Sequence, residues 1–183
     1  MIERRGVRWR LVTHAIVSRE GRIADADGAM PPCLRVEEDQ KRFQAALGRA
    51  VLTILGREGH ERHPPRGRRR LVLTSRVDAL APDGDAVLWN PRGISLADAL
   101  EAAAPEGGEV VNAGGTRAMT RLLPHTSRFE LAIAHRCSIP GGRPCLEGAT
   151  DVDAIIASLE EAGLALADET ALAPGVTLRV HRR

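Results

Sequence analysis

Glu109-Val110-Val111-Asn112-Ala113-Gly114-Gly115-Thr116-Arg117 changes its period within a single short run. The first half is β-branched and apolar, as a buried strand is. Gly114-Gly115 breaks it, and Thr116 to Leu123, closed by Pro124, has helical spacing. A strand that ends in two glycines and opens a helix lets backbone approach a ligand closely. It also aims the helix's free N–H groups at an anion. Gly114, Gly115 and Thr116 are therefore a candidate pyrophosphate cradle, although a tight strand-to-helix turn alone would use the same pair.

Working outward, the alternation continues in both directions. Arg10 to Ser18 reads as a strand buried on both faces, punctuated by Gly21 and followed by a small-residue, Pro-containing loop from Asp25 to Pro32. Val36 to Leu47 is helical, with Val36, Phe43 and Leu47 on one side and Gly48 placed to stop it. Val51 to Leu55 is a second buried strand ending at Gly56-Arg57. Arg70 to Ser75, after a Pro-rich turn, is a third, and Asp85 to Trp89 a fourth. Ser95 is placed to cap a helix over Leu96 to Ala104, and Asp151 one over Val152 to Glu161. Arg128 to His135 alternates as a strand does, and Leu164 to Ala167 with Val176 to His181 form a closing pair. This order predicts an α/β fold in three layers, with a mostly parallel central sheet and an antiparallel edge. No repeat or long linker divides the chain, so residues 1–183 are read as one domain.

Composition narrows the function classes. A net charge of +2 is too small to announce a nucleic-acid partner, and two Trp, two Phe and no Tyr offer no base-stacking platform. No apolar run has the length of a membrane span, and the basic start is not followed by a signal-peptide core, so a cytoplasmic protein is expected. Cys33, Cys137 and Cys145 have no metal-like spacing, and an odd count in that compartment argues for free thiols. His60 and His63 share a helix face, but no Cys or acid cluster completes a metal site there. The arginines at 66 and 68–70 read as a solvated turn and strand entry, with phosphate binding as the alternative. A monomer or homodimer acting on a small molecule is expected.

Taken in order, several pieces resemble dihydrofolate reductase from about His14 to Leu146. They are Ala15-Ile16-Val17, Gly21-Arg22-Ile23, Met30-Pro31, Glu38-Asp39 with Arg42-Phe43, Gly56-Arg57, Leu73-Thr74-Ser75, Gly114-Gly115 and Leu123-Pro124. The reductase domain of riboflavin synthesis shares that fold and the Gly-Gly turn. The resemblance implies an NADPH-dependent oxidoreductase, with folate and one-carbon metabolism as its setting. It places Arg57, with Ser75 or Arg76, on the cofactor's 2′-phosphate. Ile23, Gly56, Thr74, Gly114, Gly115, Thr116 and Arg117 fall in the rest of the cofactor site. Asp39 matches the acid that anchors the pterin ring and assists protonation, with Glu38 as the neighbouring alternative. Ala15, Ile16, Met30 and Phe43 match the substrate pocket, and Arg68 the arginine for the folate's glutamate carboxylate. No GxGxxG fingerprint is present, so an ordinary dinucleotide-binding turn is disfavoured.

The sequence also departs from that pattern. Pro32-Cys33 replaces the tryptophan after Met-Pro, and the loop before the acid is two residues longer. Pro144 falls where a threonine would bond the acid. The cofactor half of the signature is thus fuller than the folate half. Dihydrofolate reduction is the leading expectation. The alternatives are reduction of another pterin or an aminopyrimidine, and a non-catalytic nucleotide-binding protein.

Overall fold

The computed structural model describes residues 1–63 and 67–183; the Pro-rich turn and Arg66 lie outside the described residues. The chain opens with β1 (Ile2–Arg4), β2 (Val7–Ser18) and β3 (Arg22–Ala24), then a 3-10 turn (Pro32–Leu34) and α1 (Glu37–Arg49). β4 (Leu52–Gly56), α2 (Arg57–Arg62), β5 (Arg70–Leu73), β6 (Leu80–Asp83), β7 (Ala86–Trp89) and α3 (Leu96–Ala103) follow. β8 (Gly108–Asn112), α4 (Thr116–Leu122), a second 3-10 turn (Leu123–His125), β9 (Arg128–Ala134) and β10 (Arg143–Pro144) come next. α5 (Val152–Glu161), β11 (Ala165–Ala173) and β12 (Val176–Arg182) complete it.

The main sheet runs β11-β12-β9-β2-β8-β4-β5-β7-β6, with β1 paired to β2. β9, β2, β8, β4, β5 and β7 are parallel neighbours. The sequence reading expected one antiparallel edge, and the structure has two: β12 and β11 on one side, β6 on the other. β6 escaped the reading because Leu80-Ala81-Pro82-Asp83 is only half apolar and carries a proline, which an edge strand tolerates.

Strand alternation sorts the side chains into two layers. On one face Trp9, Leu11, Leu52, Ile54 and Val110 pack under α3, and Ala15, Val17, Phe129 and Leu131 under α4 and α5. On the other face Val111 lies under Ala46 and Leu47 of α1, and Leu55 under α2. Ser95 and Asp151 cap α3 and α5 as expected, accepting from the Asp98 and Ala154 amides. Gly48 does not stop α1; the helix continues to Arg49 and is capped at Ala50, because Gly48 stays helical and no positive φ is needed there.

The topology creates a crevice. From β2 the chain crosses by α1 to β4 on one side, and from β8 it crosses by α4 to β9 on the other. β2 and β8 are adjacent, and their outgoing helices lie on opposite faces. A ligand crevice opens beyond the C-terminal ends of such strands.

Candidate functional site

One wall of the crevice is the Gly-Gly turn. Gly114 and Gly115 have φ of 100° and 86°, a region that side chains strongly disfavour. A Cβ at Gly114 would come within 2.8 Å of the Met119 methyl, whereas at Gly115 it would meet open space. The turn is held from below by Asn112, fully buried: its amide donates to the Thr13 hydroxyl (3.2 Å), and its Oδ1 accepts from the Gly114 N–H (3.1 Å). The N-cap of α4 is Gly115, and among the described residues no side-chain cap hydrogen bond forms at this helix start. The Thr116 hydroxyl donates to the Pro144 carbonyl at 2.6 Å, tying α4 to β10.

The neighbouring parallel strands end at the same level. The Gly56 N–H meets the Gly114 carbonyl at 3.4 Å, and Arg57 opens α2 with its guanidinium 2.5 Å from Glu61. Arg76, just beyond β5, lies 3.9 Å from the same carboxylate, and its N–H is accepted by the Thr74 hydroxyl. Ser75 is exposed beside them. Ile23, on β3, packs against the Ala15–Met119 cluster. Arg117 projects into solvent, 4.0 Å from Glu147.

On the other face of the sheet, α1 reaches β2 and β9. Asp39 sits in the first turn of α1 and Phe43 one turn later, its ring 5.9 Å from that of His14. Glu130 on β9 faces the same space, since His14 and Glu130 are register partners. Its carboxylate receives Arg42 at 2.6 Å and Arg128 at 3.1 Å, and lies 3.4 Å from His14 Nδ1. Arg128 continues to Glu109 at 3.9 Å, and Glu109 to Arg10 at 3.1 Å. The floor beneath α1 is thus a ladder of alternating charge across three parallel strands. Burial pushes the Asp39 carboxyl up to about 6; Arg42 pulls it back and Glu130 adds to the rise. Burial lowers the His14 pKa despite Glu130, so the imidazole is neutral at pH 7. Nδ1 is the nitrogen turned to Glu130. Nε2 is buried without a hydrogen-bond partner among the described residues.

No family model matches the sequence, and no curated protein matches it. Solved structures do. Dihydrofolate reductase from Enterococcus faecalis, in complex with NADP(H) and RAB-propyl, aligns with a TM-score of 0.65 at 18% identity, over 97% of this chain and 98% of that one. A Shewanella sp. PV-4 protein assigned to riboflavin biosynthesis aligns at 0.64 and 16% identity, over 95% and 98%. The Thermotoga maritima diaminohydroxyphosphoribosylaminopyrimidine deaminase/5-amino-6-(5-phosphoribosylamino)uracil reductase aligns at 0.62 and 14%, over 96% of this chain and 56% of that one. The chain has a dihydrofolate reductase-like fold.

On this dihydrofolate reductase-like scaffold the candidate residues fall into three groups. Gly56, Arg57, Thr74, Ser75, Arg76, Gly114, Gly115, Thr116 and Arg117 follow the C-terminal ends of the interior strands β4, β5 and β8. Asp39 and Phe43 lie together on α1, with Ile16 on the facing side of β2. Ala15, one residue away, points to the opposite layer against Met119. The rest are peripheral. Glu38 is exposed, Met30 is 46% exposed, and Arg68 donates both terminal nitrogens to Gln44 Oε1 at 3.3 Å. Pro144 belongs to the β3–β10 ribbon beside α4, on the far side of the sheet from α1.

Sequence reasoning did not nominate His14, Asn112, Arg128 or Glu130, and cited Arg42 only as part of a motif. The signal for Glu130 was available, because alternation along Arg128 to Ala134 puts it on the face opposite Phe129, Leu131 and Ile133. The free-thiol expectation fails for two of the three cysteines: Cys33 and Cys137 are disulfide-bonded, and only Cys145 is free. Sequence spacing is silent on a contact made across 104 residues, which exists because the turn before α1 lies beside the exit of β9. His60 turns one ring nitrogen to Asp83 (3.3 Å) and the other to Arg70 (3.3 Å), and among the described residues no group of three or more metal-ligating side chains forms. No described helix is long and apolar enough to cross a membrane.

Asn112→Ala leaves the buried Gly114 N–H without an acceptor. It is expected to cost about 1–3 kcal/mol of stability, read by urea denaturation, and to loosen the Gly-Gly turn.

Proposed function

We propose that the chain is an NADPH-dependent reductase acting on a heterocyclic small molecule, with dihydrofolate as the leading substrate. The observations that carry this reading are a carboxyl raised by burial, Asp39, in the first turn of the helix that follows β2, and a Gly-Gly turn that opens the helix leaving the adjacent strand β8. The cofactor would supply the hydride. The residues fit it: the Gly115 Cβ position is open, the first-turn N–H groups of α4 suit a pyrophosphate, and Arg57 and Arg76 converge on one carboxylate that a 2′-phosphate would displace. Gly56, Thr74, Ser75, Thr116 and Ile23 would line the path between them, with Arg117 at the outer end.

On the substrate side, Asp39 would bond the ring and hold a proton for it below about pH 6. Phe43 and Ile16 would supply apolar contact, whereas Ala15 faces the other layer and Met30 and Arg68 lie at the periphery. His14 Nε2, buried without a partner among the described residues, would be available to a polar atom of the ring.

A second reading, reduction of an aminopyrimidine of the riboflavin type, is favoured by the floor of the site. Arg42, Glu130, Arg128 and His14 make it more polar than an apolar folate cleft needs, and the aligned structures include a riboflavin-biosynthesis protein and a phosphoribosylaminopyrimidine deaminase/aminouracil reductase. NADPH oxidation followed at the nicotinamide absorbance separates the readings. Turnover of dihydrofolate blocked by methotrexate supports the first. Turnover of a phosphoribosylaminopyrimidine alone supports the second. Binding of NADPH without turnover of either points to a nucleotide-binding protein.

Arg57→Ala is expected to weaken NADPH roughly tenfold or more, the worth of one charge-assisted contact of about 1.5–3 kcal/mol, and NADH little. Equal losses in a calorimetric titration would remove Arg57 from the 2′-phosphate.

A further inference from the structure

The Cys33–Cys137 bridge has no part in hydride transfer, yet it ties the turn that leads into α1, the helix of Asp39, to the segment just past β9, the strand of Glu130. Cys33 is exposed in the 3-10 turn Pro32–Leu34, six residues before Asp39. Cys137 is 2% exposed, just past β9 and seven residues after Glu130. Their Cα atoms are 5.3 Å apart, a separation that a disulfide ordinarily spans.

The two ends are held very differently. The Cys137 N–H donates to Ala134 and its carbonyl accepts from Arg19, both at 3.0 Å, so this end is fixed to the sheet. Around Cys33 the hydrogen bonds are local: Leu34 N–H to Pro31, Arg35 N–H to Pro32, and the Arg35 guanidinium to the Met30 carbonyl. Leu34, packed beside Ile16, is the turn's apolar anchor, and the bridge is its covalent one.

We propose that Cys33 and Cys137 form a thiol–disulfide exchange site whose redox state sets how tightly the lead-in to α1, and with it Asp39, is held against β9. A small thiol such as glutathione attacks the sulfur of Cys33, the exposed residue of the pair, forming a mixed disulfide and releasing the Cys137 thiolate, which takes a proton from solvent. A second thiol then attacks the mixed disulfide, leaving Cys33 as a thiol and releasing oxidised glutathione. Two electrons and two protons pass to the protein, and two small thiols become one disulfide. Oxidation by glutathione disulfide is the reverse. Cys145 stands outside the exchange: it is fully buried against Met119 Sδ, with burial pushing its thiol up to about 12.

The test uses the native full chain in glutathione buffers of graded ratio, with alkylation and peptide mass to read each cysteine, and hydrogen exchange to read the backbone. The bridge should open and reclose reversibly, with Cys145 unlabelled throughout. On opening, exchange over residues 29–39 should accelerate tenfold or more while the strands β4 and β8 keep their rates. Cys33→Ser should reproduce the reduced pattern without added thiol. A bridge that opens only on global unfolding overturns the proposal, and so does one that opens with unchanged exchange over residues 29–39. Neither readout needs cofactor or substrate, so the result is independent of the reductase reading.

Discussion

Asp39→Asn is expected to make the protein more stable and less active at the same time. Its carboxyl is raised from 3.8 to about 6 by burial, with Glu130 adding to the effect against Arg42. A group whose folded pKa is raised contributes its stability fully below the unfolded value and loses it as pH climbs through the folded one. Asp39 therefore favours the fold below about pH 4, and that contribution is lost between about pH 4 and 6. Above that window the fold carries a partly desolvated carboxylate. Two pH units correspond to about 2.7 kcal/mol, and the partial exposure of Asp39 reduces this to about 1–2 kcal/mol. The variant should gain that much at pH 7.5 and nothing at pH 3.5, by urea denaturation at both values. His14 shifts with the opposite sign, losing its contribution as pH falls below 6.5, but it is common to both proteins and cancels. Removing a positioned acid should lower kcat by about 10²–10⁴-fold, with NADPH affinity nearly unchanged. A variant with full turnover would take Asp39 out of the chemistry; one that loses stability at pH 7.5 would make it structural.

Glu130→Ala should have the largest effect on stability. The carboxylate is 9% exposed and faces Arg42, Arg128 and His14, so its removal strands guanidinium charge beside α1. Breaking a buried pair from one side costs roughly 3–5 kcal/mol; Arg42 is 41% exposed and can turn to water, which puts the expected loss at the lower end. The same change removes the anion that raises Asp39 and frees Arg42 to lower it. The pH above which turnover falls should therefore move down from about 6, and that shift separates a role in the site from simple loss of packing. Glu130→Gln, which keeps the shape, should show the pH shift with a smaller loss of stability. An unshifted profile in both variants would uncouple Glu130 from Asp39.

What was legible in the sequence was period and punctuation. Asp151 and Ser95 marked two helix starts to the residue, and Gly114-Gly115 marked the turn at the switch point. These signals are local, because a cap or a positive φ is written in one or two adjacent residues. The partnership of His14 and Glu130 was not legible, since it depends on which strand β2 pairs with across 116 residues of chain. Asn112 read as the last polar residue of a strand, and its function as the peg of the Gly-Gly turn needs Thr13 from β2. The Cys33–Cys137 bridge was hidden for the same reason. The face beneath α1 in particular depends on such non-local meetings, whereas the turns that end β4 and β8 are written in adjacent residues.

The central claim is a phosphorylated nicotinamide site along the strand ends from Gly56 to Arg117. The most direct measurement is calorimetric titration of the native chain with NADPH and, separately, NADH. Saturable one-to-one binding of NADPH, at least tenfold tighter than NADH, is the predicted result. Absence of binding to either nucleotide would contradict it and leave a dihydrofolate reductase-like fold put to another use.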